Sequence, residues 1–256
     1  MIETEPHNPG APALIDTVAE IDAAWIQSVL RASGIPGATV RSVTSTPIGA
    51  GNVSDTVRVT IDYVGERGDA PESVVVKLKP SDPAVHEHGL NSGAYHREIG
   101  GYRDISDRLA CRIPLKYWVN GDETTINLVM EDLTGTTTPG NQITGCGPAE
   151  AEAVVVELAR LHSEFFPLTD ATAPAWMIRL PEVCEYWSSK ATRGATAALE
   201  RFSRDLSEES LDVIGEAGDL VRDWHLLPHR RLTFTHGDPR VCLLYTSDAA
   251  DEGLGV

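Results

Sequence analysis

Three charged side chains stand in settings suited to chemistry: Asp238, Lys77 and Glu98. Asp238 closes the run Leu232-Thr-Phe-Thr-His-Gly-Asp-Pro239. Leu232, Phe234 and the β-branched Thr233 and Thr235 predict a short strand. His236-Gly237-Asp238 turns out of it before Pro239, which cannot donate to a ladder. A carboxylate at a strand end can be held as rigidly as a catalytic group needs. The same residues also read as a β-turn in which the Asp caps its own backbone. Lys77 lies in Ser73-Val-Val-Val-Lys-Leu78, a predicted strand dense in β-branched residues, with Lys79 expected on the same face. Such a lysine either snorkels to water from a strand end or pairs with the phosphates of a nucleotide, and then needs a carboxylate to orient it. Glu98 is the candidate. Helical spacing is predicted over 86–109, where Glu98 lies between Tyr95, Ile99 and Tyr102 and can face Lys77. Alternatively it faces solvent or pairs locally with Arg97 or Arg103, contacts worth little. Gly100-Gly101 weakens that helix by roughly 1 kcal/mol per residue relative to Ala.

The elements that must position these groups follow in order. Residues 1–19 are polar and predict no regular structure. Asp22 caps a helix running to residue 33, with Ala23, Ile26, Val29 and Leu30 on one face and Gly34 and Pro36 ending it. Gly49-Ala-Gly51-Asn52-Val-Ser54 joins strands predicted over 40–48 and 57–63. Glycines let backbone amides approach phosphates, and they equally make a plain hairpin turn. No helix follows, which excludes a Walker loop and a dinucleotide fingerprint. A strand is predicted from 112 to 119, a turn at Asn120-Gly121-Asp122, and a return strand over 124–130 that runs straight into Glu131-Asp132-Leu133. Residues 134–148, rich in Thr, Gly, Pro and Asn, predict a loop and a boundary between two lobes. A helix over 149–166 carries Ala153, Val156, Leu158, Leu161 and Phe165 in an apolar stripe, with His162 as a core histidine and Pro167 stopping it. Residues 175–227 read as further helices, whose Trp176, Tyr186, Trp187, Phe202 and Trp224 pack a core or line a pocket.

Composition narrows the functional class. The 256 residues carry a net charge of −17, which disfavours nucleic acid and anionic membrane surfaces as partners. A hydrophobic fraction of 41% is ordinary for a globular chain, and no apolar run is long enough to span a bilayer. The N-terminus lacks the basic and apolar regions of a signal peptide. The cysteines Cys111, Cys146, Cys184 and Cys242 are widely spaced, which predicts reduced thiols and a cytoplasmic setting rather than disulfides or a zinc site. Nothing in the sequence specifies an oligomeric state.

The glycine-rich hairpin, strand lysine, helix glutamate, apolar strand end, buried helix and His-Gly-Asp turn, in that order over about residues 45–241, resemble one family. It is the aminoglycoside phosphotransferase and choline kinase-like family of the protein-kinase-like fold. The Glu98 helix and Met130-Glu131-Asp132-Leu133 look most like its ecdysteroid-kinase-like and bacterial aminoglycoside-type branch. The resemblance implies an α+β fold of two lobes. Residues 1–133 would hold an N-terminal helix, an antiparallel-sheet nucleotide-binding lobe and a hinge; 134–241 would be part of a helical lobe ending in the catalytic loop. It further implies ATP and Mg2+, and a hydroxyl of a small molecule as acceptor. Backbone at Gly49, Gly51 and Asn52 would cover the phosphates, and Lys77, held by Glu98, would contact them. Met130, Glu131 and Leu133 would form the adenine hinge, and Asp238 would take the acceptor proton. The pattern then departs from the family, which continues His-Gly-Asp-x-x-x-x-Asn with the Asn on the metal. Leu243 stands there and cannot ligate a hard cation. Residues 242–256 resemble a translated sequencing adapter, so a non-native tail on a truncated and inactive chain of poor solubility is expected. Two other readings stay open: a non-catalytic nucleotide-binding module (pseudokinase or scaffold), and an unrelated α+β binding protein. The acceptor, and ATP against GTP, also stay open.

Overall fold

The computed structural model describes residues 11–48, 53–140, 143–169, 171–228, 231–237 and 245–247. Cα packing divides the chain into two units, one of Met1–Phe166 with Thr233–Val256, the other Pro167–Leu232. The architecture is α+β.

In the first unit, β1 (Val40–Pro47), β2 (Asp55–Tyr63), β3 (Ser73–Leu78), β4 (Lys116–Gly121) and β5 (Ile126–Glu131) form an antiparallel sheet of order β1-β2-β3-β5-β4. Period-two alternation gives it two faces. Val57, Val59, Ile61, Val74, Val76, Leu78 and Val129 pack on one side against helix α1 (Ala23–Ala32). Asp22 caps α1 by accepting from the Trp25 N–H at 2.7 Å. The helix buries Trp25, Ile26, Val29 and Leu30, so Trp25 rather than Ala23 completes its inner stripe. Ahead of α1, the chain is fastened by Asn127, buried in β5. Its side chain accepts from Ile15 N–H and donates to Ile15 C=O, both at 2.8 Å.

The other face is covered by α3 (Ala94–Gly100), which follows α2 (Pro83–Ser92). Tyr95 and Ile99 pack there with Ile126, Leu128 and Met130. The single helix expected over 86–109 is therefore corrected. Gly93, at φ +65°, closes α2 in the left-handed region and starts α3 in a new direction, a conformation glycine takes without a Cβ penalty. Gly100-Gly101 does not break the chain. Helical backbone passes through it into a wide π-type turn, Gly101–Ile105, and then a short 3-10 turn, Ser106–Arg108. Lys116 reaches this C-terminal end and donates to Tyr102 C=O at 2.7 Å and to Ser106 Oγ at 3.2 Å. β4 begins at Lys116 rather than 112; Pro114, which has no N–H to give a ladder, lies in the excluded stretch.

Further along, Thr137–Pro139 within the expected loop forms β6, which pairs with β7 (Tyr245–Ser247). Helix α4 (Pro148–Glu164) follows. Leu161 and Phe165 are buried near its end, but Ala153 and Val156 are exposed, so the expected stripe is covered only at one end. His162 is half-buried rather than a core residue; its carbonyl accepts from Thr233 Oγ1 at 2.6 Å. The strand expected at 232–235 is corrected as well. Leu232 makes a lone bridge to Leu168, and Phe234 is spent on edge packing with Phe165, ring centroids 5.7 Å apart. In the second unit, α5 (Cys184–Phe202) and α6 (Glu208–His225) pack against each other. No helix among the described residues is long and apolar enough to cross a membrane.

Candidate functional site

β3 sends Val74, Val76 and Leu78 to the α1 side and leaves Val75 and Lys77 on the α3 side. Lys77 lies across from Thr56 of β2 and Leu128 of β5. From there its Nζ donates to Glu98 Oε1 at 2.5 Å, each side chain about a quarter exposed. Glu98 is held by its neighbours: Tyr95 and Ile99, both 1% exposed, seat α3 on the sheet and leave the carboxylate facing β3. Arg97 reaches back to the Ser92 and Gly93 carbonyls and Arg103 reaches Asp104, so neither local alternative displaces Lys77. Lys79 does not share this face. The strand ends at Leu78, the alternation lapses, and Lys79 pairs with Asp16 at 2.7 Å.

The row next to Lys77 crosses the sheet as Arg58, Val75 and Met130 and leads into residues 131–133. Met130 is 7% exposed and accepts from the Tyr102 hydroxyl at 3.7 Å. Glu131 is engaged through backbone and side chain: its N–H donates to Leu115 C=O at 2.8 Å, and its carboxylate accepts from Leu115 N–H at 3.1 Å. Leu133 C=O accepts from the N–H groups of Thr136 and Thr137, both at 3.1 Å. Leu133 N–H has no partner among the described residues and so can serve a ligand acceptor.

Asp132 organises the segment. Its carboxylate accepts from Arg58 Nε and Ser73 Oγ, each at 2.7 Å, and from Thr134 N–H at 3.0 Å. Burial alone would raise this carboxyl. The hydrogen bonds from Ser73, Thr134 and Arg58 outweigh burial and hold it lowered to about 2. Arg58 also bonds Thr134 Oγ1. Sequence reasoning missed Arg58 and Ser73. The available signal was a lone arginine between Val57 and Val59, on the face opposite the apolar stripe of β2.

The strands on either side of the glycine-rich turn pair as a hairpin, closed by Ile48 N–H to Thr56 C=O at 3.0 Å. Gly49, Gly51 and Asn52 themselves lie outside the described residues, as do Asp238 and Leu243. Of the His-Gly-Asp run, His236 and Gly237 are described, Gly237 at φ +80°. Among the described residues no cluster of His, Cys, Asp and Glu is arranged to hold a metal ion.

No protein-family model and no curated protein sequence matches the chain. Among solved structures it is similar to the structure of the streptomycin-ATP-APH(2")-IIa ternary complex. The identity is 14%, over 78% of this chain and 57% of that one, with a TM-score of 0.33. The chain thus spans a little over half the length of the protein it matches there.

Proposed function

We propose that the chain binds a nucleotide on the α3 side of its sheet and serves a phosphotransferase, with ATP as donor and a hydroxyl of a small molecule as acceptor. The observation that carries this reading is the Lys77–Glu98 pair at 2.5 Å, on the face that leads through Val75 and Met130 to the segment with the open Leu133 N–H. Lys77 lies opposite Leu128, so residues 131–133 begin three residues further along, about 10 Å away, a span suited to a base there and phosphates at Lys77. In this reading Leu133 N–H donates to the base, Met130 and Val75 supply apolar contact, and Glu131 holds the segment's backbone. Glu98 keeps the Lys77 ammonium aimed at the phosphates, and backbone at Gly49, Gly51 and Asn52 covers them. Asp238 is the proposed general base. As the acceptor oxygen bonds the γ-phosphorus and the bond to the ADP leaving group breaks, the hydroxyl proton passes to its carboxylate. Residues 1–133 form the nucleotide-binding lobe and hinge, and 134–148 the boundary.

The family's Mg2+ does not fit the residues present. Leu243 occupies the position of its Asn ligand, and among the described residues no other donor cluster replaces it. Leu243 favours a second reading within the same site, a module that binds nucleotide without turnover.

A thermal melt tests the proposal. At a hundredfold excess over Kd a ligand adds about 2.7 kcal/mol, or roughly 5–10 °C for a chain of this size. ATP is expected to produce that shift in the wild type and none in Lys77→Met. A wild-type melt unmoved by millimolar ATP would sink the reading, and a shift without ADP formation would select the non-catalytic module.

A further inference from the structure

Arg58 is placed where a nucleotide base would lie, and the reading of Lys77 and Leu133 makes no use of it. It stands in the middle of β2, paired with Val75, which is paired in turn with Met130. Its side chain, 31% exposed, is on the same face as Lys77 and one pleat closer to residues 131–133. The guanidinium is tethered through one edge, by Nε to Asp132 at 2.7 Å and by Nη2 to Thr134 Oγ1. Both acceptors belong to the segment that follows β5. Asp132 is itself fixed by Ser73 and by Thr134 N–H, so the anchor does not move with Arg58. Nη1 has no partner among the described residues.

An arginine held by its Nε–Nη2 edge keeps both flat faces and Nη1 available. A planar, delocalised and weakly hydrated cation is the side chain best suited to stack on an aromatic ring, and an ammonium at the same point lacks the plane. Fixing the group beforehand also removes the entropy that a mobile arginine would lose on binding.

We propose that Arg58 recognises the base of the bound nucleotide, its guanidinium forming the stacking platform beside Leu133 N–H. The inference rests on the nucleotide reading above. It makes base recognition a property of β2 and leaves phosphate recognition to Lys77.

Calorimetric titration with two probes separates these contributions. ATP carries base and phosphates; inorganic tripolyphosphate carries phosphates alone. The readout is the ratio of the two affinities within each protein, which a partly unfolded population lowers equally for both and therefore leaves intact. Wild type is expected to prefer ATP. Arg58→Lys keeps a cation against Asp132 and should lower that ratio by about tenfold, with tripolyphosphate affinity unchanged. Lys77→Met should weaken both probes. A ratio equal to wild type in Arg58→Lys overturns the proposal and leaves Arg58 as a brace for residues 132–134. Wild type that binds tripolyphosphate as tightly as ATP overturns base recognition at this segment altogether. Wild type that binds neither probe overturns the nucleotide reading on which the proposal rests.

Discussion

At the residue scale, Asp132 shows how local chemistry fixes this site. Its carboxyl is held at about 2 because the hydrogen bonds from Ser73, Thr134 and Arg58 outweigh the opposing effect of burial. An aspartate in an unfolded chain titrates near 3.9, roughly two units higher. The folded state therefore binds fewer protons between those values. The resulting stabilisation, about 2.5 kcal/mol, is fully present above the unfolded pKa and is lost as pH falls through the folded one. Asp132→Asn should cost about that much at neutral pH and should flatten the acid limb of stability between about pH 4 and 2, which denaturant titration at several pH values measures. Lys77 and Glu98 were legible in the sequence because Lys77 is one charge in an apolar strand and Glu98 lies between Tyr95, Ile99 and Tyr102 at helical spacing. Arg58 was not. Its partner lies 74 residues away, and only the strand register brings them together.

At the element scale, the α2–α3 corner decides where Glu98 points, and glycine decides the corner. Spacing alone placed one helix over 86–109, because Tyr95, Ile99 and Tyr102 keep helical phase across the region. It could not weigh Gly93 against Gly100-Gly101, since the choice depends on packing. Gly89 is the other element of that packing: a Cβ there would lie 2.6 Å from Cζ of Tyr95, a ring 1% exposed. Alanine ordinarily stabilises a helix interior by about 1 kcal/mol over glycine. Here the overlap wins, and Gly89→Ala should destabilise by about 1–3 kcal/mol in urea unfolding. The strand at 232–235 failed for a related reason. It had the apolar and β-branched residues of a strand, but Phe234 packs on Phe165 and Leu232 makes only a lone bridge. Asn127 was likewise hidden among Ile126, Leu128 and Val129. Its two bonds to Ile15 fasten the chain ahead of α1, so Asn127→Ala leaves a buried donor and acceptor unpaired. The expected loss is about 2–4 kcal/mol, read from the same unfolding curves.

At the scale of the whole molecule, charge and apolar surface oppose each other. Val213, Leu220, Trp224 and Leu227 recur at helical spacing along and just past α6, and all are more than half exposed. A stripe of that kind favours association. The net charge of −17 opposes it through repulsion that salt screens. Sedimentation should therefore show self-association that rises with ionic strength and falls in Leu220→Lys. A species distribution independent of both salt and that substitution would contradict the argument.

Covalent capture asks whether Lys77 faces the phosphates of a bound nucleotide. An acyl-phosphate derivative of ATP transfers its acyl group to an amine lying beside the phosphates. The chain has four lysines, Lys77, Lys79, Lys116 and Lys190, so peptide mass spectrometry resolves the site of transfer. Labelling is expected at Lys77, blocked by excess ATP, with Lys79 spared because it is paired with Asp16 away from that face. Labelling spread over all four lysines and indifferent to ATP would contradict it.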